Sequence, residues 1–265
     1  MKLDIYFIRH AESEMNNSPH IIQGRGANVK LSERGLIQAE KLGERFIADK
    51  IKFDAVYSSP LLRAYETARI VCGKIDIQEH SITRLEQLVE QSHGDWEGKI
   101  RKEVYTPEII EHVKADWYNF CPPNGESLKM AEERIYSFVK MFLFPLPAML
   151  FDSEIVKKAE RVLDYKLVKK TRIGSVMSDL YALAKGTILS NQKENVKIAV
   201  FSHAMAIKSF ARKIKGYTAE MAYKSKVYNA SITRFEYTEK GWFPISENDA
   251  GHLAGMEHAP FTPLA

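Results

Sequence analysis

Leu3-Asp4-Ile5-Tyr6-Phe7-Ile8-Arg9-His10-Ala11-Glu12 is the stretch that decides how this chain is read. The apolar run from Leu3 to Ile8, broken only by Asp4, has the length and composition of a buried strand. It ends by handing a cation and an imidazole to the loop that follows. In open α/β sheets, ligands bind just beyond the carboxyl ends of the strands. A histidine there can act as a nucleophile, and an arginine beside it can hold a phosphate.

Two more strand-like runs end in the same kind of chemistry. Asp54-Ala55-Val56-Tyr57-Ser58-Ser59 leads into Pro60-Leu61-Leu62-Arg63-Ala64. Ser59 then Pro60 predicts a helix start, with a capping hydroxyl followed by proline at the first helical position. Arg63 falls in the first turn, beside free backbone N–H groups and the positive end of the helix dipole. Lys197-Ile198-Ala199-Val200-Phe201-Ser202 leads into His203-Ala204-Met205-Ala206 in the same way. His10, Arg63 and His203 are thus expected at strand-to-helix junctions, though far apart in sequence.

Residues 32–50 read as an amphipathic helix, with Leu36, Ala39, Leu42 and Phe46 at three- and four-residue steps. That gives β-α-β order, hence a parallel sheet with helices on its faces. A further helix is predicted over 126–144, with Leu128, Ala131, Ile135, Phe138 and Phe142 on one face and Pro145 and Pro147 ending it. Residues 231–237 alternate as a strand does, and 241–245 can pair with them. No internal repeat or low-complexity segment is visible.

At 265 residues the chain can bury a large core. Its 45% apolar and 27% charged content are those of a globular domain. A net charge of +4 without long basic runs gives no indication of a nucleic-acid partner. No apolar stretch reaches the about 20 residues a membrane helix needs. Nothing resembles a signal peptide, and Cys72 and Cys121 form no metal or redox pair, so a cytoplasmic protein with no membrane partner is expected.

The ordered motifs resemble the histidine phosphatase superfamily, the phosphoglycerate-mutase-like proteins. Arg9-His10-Ala11-Glu12-Ser13-Glu14-Met15-Asn16 is similar to the family's Arg-His-Gly-Glu-Thr-x-x-Asn block. Gln23-Gly24-Arg25, Leu31-Ser32-Glu33-Arg34-Gly35, Ser58-Ser59-Pro60-Leu61-Leu62-Arg63-Ala64, Glu90 with Gly94, Gly125-Glu126-Ser127, Ser202-His203-Ala204 and Asn229-Ala230-Ser231 follow in family order. Ala11 and Ala204 stand where the family commonly has glycine; alanine suffices unless the position needs positive φ. The resemblance implies a three-layer α/β/α fold with a mostly parallel central sheet, as one domain over residues 1–265. The interval from Ser127 to Ser202 is longer than the family usually has, so a helical insertion or cap is expected at about 145–195. It reads as a lid, as a dimer surface, or as an added helical pair with its own small core. A homodimer is therefore left open.

The resemblance implies a metal-independent phosphomonoester hydrolase of the histidine acid-phosphatase type, acting on a small phosphorylated substrate without a cofactor. A phosphomonoester repels nucleophiles, so the site needs cations around the phosphoryl oxygens and a neutral nucleophile. His10 is expected as nucleophile, with a backbone carbonyl fixing its tautomer. Glu90 is the expected proton donor, in competition with Glu86 and Glu97. Arg9, Arg63 and His203 complete the catalytic set. Phosphate or substrate contacts are expected from Arg9, Asn16, Gln23, Gly24, Arg63, His203 and Ala204; Arg25 either shapes the mouth or forms a salt bridge. No metal is implied, and the remaining histidines, His93 and His252 included, lack metal-ligand spacing and read as ordinary.

A phosphoglycerate-type mutase is the main rival. Such mutases typically carry Phe-Thr-Gly-Trp where this chain has Ile22-Gln23-Gly24-Arg25, and His-Tyr-Gly where it has Ser92-His93-Gly94. Both departures favour hydrolysis. An inactive relative serving as a binding module is the third reading, and the intact set Arg9, His10, Arg63, Glu90 and His203 argues against it.

Overall fold

The first strand, β1 (Lys2–Arg9), feeds two cores. Leu3, Ile5 and Phe7 pack into one, and Tyr6 and Ile8 into the other. This is the two-residue period of a strand covered on both faces, which is why its sequence reads as a continuous apolar run. Asp4 is fully buried yet paired: its carboxylate accepts from Arg234 Nη2 at 3.0 Å and from Asn195 Nδ2 at 3.2 Å. The computed structural model describes residues 2–26, 28–139, 143 and 195–256.

Six strands form one sheet in the order β3 (Ile82–Arg84), β2 (Ala55–Ser58), β4 (Asn195–Ser202), β1, β5 (Ile232–Thr238), β6 (Gly241–Asp249). The first four run parallel; β5 is antiparallel to β1, and β6 to β5. Helices α1 (Glu33–Ala48) and α2 (Leu62–Lys74) cover one face through Leu42, Phe46, Val71 and Cys72. The short α3 (Arg101–Val104) and α4 (Pro107–Ala115) lie between β3 and α5 (Leu128–Phe138) in sequence. Together with α6 (Ala204–Lys215), α5 covers the other face through Ile135, Phe138, Ile207 and Phe210. The last helix, α7 (Ala219–Lys224), precedes β5. The result is the expected three-layer α/β/α fold.

Phe210 anchors the second face, with ring centroids 4.6 Å from Phe7, 5.0 Å from Phe235 and 5.3 Å from Trp242. Neighbours β1 and β4 send their following helices to opposite faces, α1 to one and α6 to the other. That is the topological switch point at which such sheets open a crevice.

The helix boundaries follow their caps. Ser32 Oγ accepts from Gly35 N at 3.0 Å to start α1, and Ser127 Oγ accepts from Met130 N at 3.2 Å to start α5. The Ser59-Pro60 signal is corrected: α2 starts at Leu62, and its capping residue Leu61 makes no side-chain cap. Ser59 is not free to cap, because its amide extends the sheet ladder to Phe201 O at 2.9 Å and its hydroxyl bonds Leu61 N and His203. The expected insertion at about 145–195, with Phe142, Pro145 and Pro147, lies outside the described residues. Among the described residues no helix is long and apolar enough to cross a membrane.

Candidate active site

Strand register assembles the site. Arg9 lies opposite Ser202, and Ser58 opposite Phe201. The residues that follow, His10, His203 and Ser59, therefore leave the sheet at one edge. The His10 amide extends the ladder, donating to Ser202 O at 2.9 Å. The His10 carbonyl is pinned from the far end of the chain by Ala230 N at 3.2 Å and Asn229 Nδ2 at 3.1 Å. Ala230 holds this position at φ +54°, a left-handed conformation rare for alanine. Ala11 and Ala204 have no such conformation, so their missing glycines cost the backbone nothing.

The His10 ring is buried, with Nδ1 2.7 Å from Ala11 O and Nε2 3.3 Å from Arg63 Nε. A carbonyl only accepts, so Nδ1 carries the proton and Nε2 the lone pair. Burial, then Arg63, then Arg9 push protonation of the ring well below the ordinary histidine range. The imidazole is neutral at neutral pH, with a defined tautomer.

The His203 ring centroid lies 5.1 Å from that of His10. Its Nε2 is 2.8 Å from Ser59 Oγ, while the buried Nδ1 has no hydrogen-bond partner among the described residues. Burial first, then Arg63, His10 and Arg9, also hold it neutral. His203 is fully buried beside His10.

The cavity encloses about 190 Å³ at this edge of the sheet. Among the described residues its wall carries Arg9, Arg63, Arg101, Lys208 and Lys226 against a single carboxylate, Glu90. Arg63 donates from Nη2 to Gly24 O at 2.9 Å, and Arg9 from Nη1 to Val227 O at 2.6 Å. Among the described residues the buried Arg9 Nε has no hydrogen-bond partner. Burial draws the Arg9 guanidinium down to about 10, so it stays cationic at neutral pH. These donors are fixed before any ligand arrives, which suits them to an anion.

Glu90 reaches the wall through a clamped loop. Its carboxylate accepts from Gln91 N at 2.9 Å and from Met205 N, in the first turn of α6, at 3.1 Å. Arg134 donates to the carbonyls of Gln87 at 2.8 Å, Val89 at 2.9 Å and Glu90 at 3.2 Å, and Arg25 Nε donates to Glu90 O at 2.6 Å. Both arginines also pair with Glu126. Burial works to raise the Glu126 carboxyl, but Arg134 and Arg25 outweigh it and hold it low. Arg25 thus forms the salt bridge of its two expected readings.

Glu97, the rival acid, is absorbed structurally: it accepts from Arg25 N at 3.0 Å, His93 N at 2.9 Å and also Gly26 N. A Cβ on Gly24 would sit 2.1 Å from Glu97 Oε1, so a larger residue there would displace this carboxylate from its amides. Asn16 Nδ2 donates to Gln23 Oε1 at 3.3 Å, and Asn16, Gln23, Gly24 and Ala204 all line the cavity.

Sequence reasoning missed Lys208, Arg101, Lys226 and Tyr228, and read His93 as ordinary; all five line the cavity. Lys208 had a signal: it lies four residues after Ala204 on α6, hence on the same helix face. Among the described residues no cluster of three or more His, Cys, Asp or Glu is placed to hold a metal ion.

The chain is 32% identical over 162 residues to a 2,3-bisphosphoglycerate-dependent phosphoglycerate mutase of Parvibaculum lavamentivorans, covering 60% of this chain and 71% of that one. It is 33% identical over 138 residues to an adenosylcobalamin/alpha-ribazole phosphatase of Salmonella typhimurium, covering 51% and 64%. In fold it is similar to a phosphoserine phosphatase of Entamoeba histolytica, with a TM-score of 0.62 and 23% identity over 95% of this chain and 99% of that one. The family model of the histidine phosphatase superfamily (branch 1) matches residues 5–143 and 168–250. On that match, the chain belongs to the histidine phosphatase superfamily, in branch 1.

Proposed function

We propose that this chain hydrolyses phosphomonoesters through a phosphohistidine on His10. The observation that carries the reading is the neutral His10 ring, its Nδ1–H held by Ala11 O and its Nε2 lone pair beside Arg63 in a cation-lined cavity.

His10 Nε2 attacks phosphorus in line with the leaving oxygen. Arg9 and Arg63 bind the non-bridging oxygens, and His203, its ring 5.1 Å from that of His10, is the second imidazole of the site. As the N–P bond forms, the ring gains positive charge, which Ala11 O stabilises through Nδ1–H. Glu90 gives its proton to the departing alkoxide, then takes one from the water that attacks the phosphohistidine. The N–P bond breaks, phosphate leaves and His10 is restored. The guanidinium groups supply the positive charge, so no metal enters this scheme.

A phosphoglycerate-type mutase is the second reading, favoured by the name of the 32% identical relative. Against it stand Gln23 and Arg25 in the segment after Ile22, and Arg25 is engaged by Glu126 and Glu90 O.

The test is phosphate release from a broad phosphomonoester panel in EDTA, by wild type and His10→Ala. Turnover by wild type alone, with an acid-labile phosphoryl group on His10, supports the proposal. Substantial turnover by His10→Ala, or loss of wild-type activity in EDTA, would overturn it. Isomerisation of phosphoglycerate dependent on a bisphosphorylated primer, without net phosphate release, would favour the mutase.

A further inference from the structure

The peptide that joins His10 to Ala11 is held from both sides. Its carbonyl accepts from Ala230 N at 3.2 Å and from Asn229 Nδ2 at 3.1 Å. Its amide donates to Thr67 Oγ1 at 3.0 Å. The Thr67 hydroxyl has one proton, which goes to Arg63 O at 2.7 Å, so its oxygen meets Ala11 with a lone pair. Thr67 and Asn229 are both buried.

Each of the two side chains reaches a second part of the site. Thr67 stands on α2 one turn after Arg63, whose Nε lies 3.3 Å from His10 Nε2. One hydroxyl thus ties the loop after His10 to the backbone of the arginine beside the attacking nitrogen. Asn229 gives its other Nδ2 proton to Asn16 Oδ1 at 3.2 Å. That oxygen also accepts from Ser13 N at 2.9 Å, so the Asn16 carboxamide has one orientation, with Nδ2 toward Gln23. Among the described residues the buried Asn229 Oδ1 has no hydrogen-bond partner. An unpaired buried acceptor is costly, and the two donors of the same carboxamide offset it. The turn that carries Asn229 is itself fixed: Tyr228 N donates to Asn248 Oδ1 at 2.5 Å, and Ser231 N to Tyr228 O at 3.1 Å.

With that peptide plane fixed on both edges, the next carbonyl along the chain has little freedom. It is Ala11 O, the acceptor 2.7 Å from His10 Nδ1. Its place decides which ring nitrogen holds the proton and where the other points. We infer that Thr67 and Asn229 are positioning residues of the reaction, gripping the His10–Ala11 peptide so that the imidazole keeps its proton on Nδ1 and aims the Nε2 lone pair at the phosphoryl group. The inference rests on the phosphohistidine reading above.

Two readouts test it, one of which needs no turnover. Nitrogen-15 NMR of histidine-labelled protein, with the His10 signals identified by their absence from His10→Ala, reads the tautomer. Wild type should show a protonated Nδ1 and a bare Nε2. In Thr67→Val and in Asn229→Ala the two shifts should move toward each other, as the form protonated on Nε2 becomes populated. Kinetics is the second readout. Thr67→Val keeps the shape and removes the hydroxyl, so kcat should fall about tenfold with KM within about twofold. Thr67→Ser restores the hydroxyl and should stay within about threefold of wild type. Asn229→Ala should lower kcat and also raise KM, because Asn16 loses its orientation. Unfolding midpoints show which variants are folded in the assay, and if Thr67→Val is not, Asn229→Ala carries both readouts.

A purely structural role would lower the midpoint and leave kcat and the tautomer of the folded protein as they are. Unmoved His10 nitrogens, or a loss of kcat that Thr67→Ser shares in full, would overturn the inference. Absence of wild-type turnover on every ester would refute the hydrolase reading instead, and the tautomer measurement would still decide whether the grip orders the ring.

Discussion

Replacing Arg134 with leucine should loosen the loop that carries Glu90. The guanidinium donates to Gln87 O at 2.8 Å, Val89 O at 2.9 Å and Glu90 O at 3.2 Å, and to the two Glu126 oxygens at 3.1 and 3.0 Å. Leucine preserves helix propensity in α5 and removes every donor. Glu126 keeps Arg25 at 2.5 Å, so no carboxylate is stranded. Glu90 O keeps Arg25 Nε at 2.6 Å, so the loss falls on two backbone carbonyls, Gln87 O and Val89 O, and a buried acceptor left unpaired costs about 1–3 kcal/mol. The Arg134 and Glu126 side chains retain 16% and 13% of their surface exposure, so water reaches part of the gap and the lower end of that range applies. A total of about 2–3 kcal/mol follows, a large share of the about 5–15 kcal/mol that holds a typical domain together. Arg134→Lys, with its charge and fewer donors, should lose about half as much. Urea unfolding reads the stability. Steady-state kinetics on an alkyl and an aryl phosphate reads the acid: a displaced Glu90 penalises the alkyl ester more, because its alkoxide needs the proton. A stability loss under about 1 kcal/mol, or equal slowing of both esters, would refute the reasoning.

Three further outcomes are expected. His10 and His203 are buried with protonation disfavoured, so below about pH 6.5 the unfolded chain binds protons that the folded chain does not. Stability should be full above that pH and fall below it, by up to about 1.4 kcal/mol per pH unit for each ring, and a urea midpoint unchanged between about pH 7 and 5.5 would contradict this. Gly35→Ala would place a Cβ 1.9 Å from Glu12 O, a backbone atom that cannot yield; about 1–3 kcal/mol of stability should be lost, along with activity, because Glu12 sits in the loop that follows His10. Burial pushes the Cys72 thiol up to about 12, whereas Cys121 is exposed. Mass spectrometry after iodoacetamide treatment of the folded protein should find Cys121 alkylated and Cys72 intact.

The strand ends were legible because their chemistry is local. A buried apolar run followed by Arg9-His10 or by His203 announces both the strand and what it delivers. The sheet order was not legible: nothing in β1 says that its neighbours are β4 and β5, from the far end of the chain. Ser59-Pro60 misled because the hydroxyl expected at a helix cap is bonded to His203, a tertiary contact invisible locally. Arg25 had two readings, and only the approach of Glu126 decides between them. Lys208 and Arg101 look like ordinary surface charges in sequence; Tyr223, on a third helix, brings them into the cavity. His203 was expected to touch the transferring group, and the fold brings its ring to 5.1 Å from that of His10.

The central position of β1 bears on how the protein comes to be made. Its neighbours β4 and β5, and the Asn229-Ala230 pair that grips the His10 carbonyl, are all synthesised late. A nascent chain that has emerged as far as α5 already holds His10, Arg9, Arg63 and Glu90 but has no strand to lie on either side of β1. Closing that long loop carries its entropic cost before any contact repays it, so the candidate site is among the last parts to form. A ribosome-bound or proteolytic fragment ending before β4 should carry most of the chemistry in its sequence and none of it in space. Activity is then a direct reporter that the two ends of the chain have met.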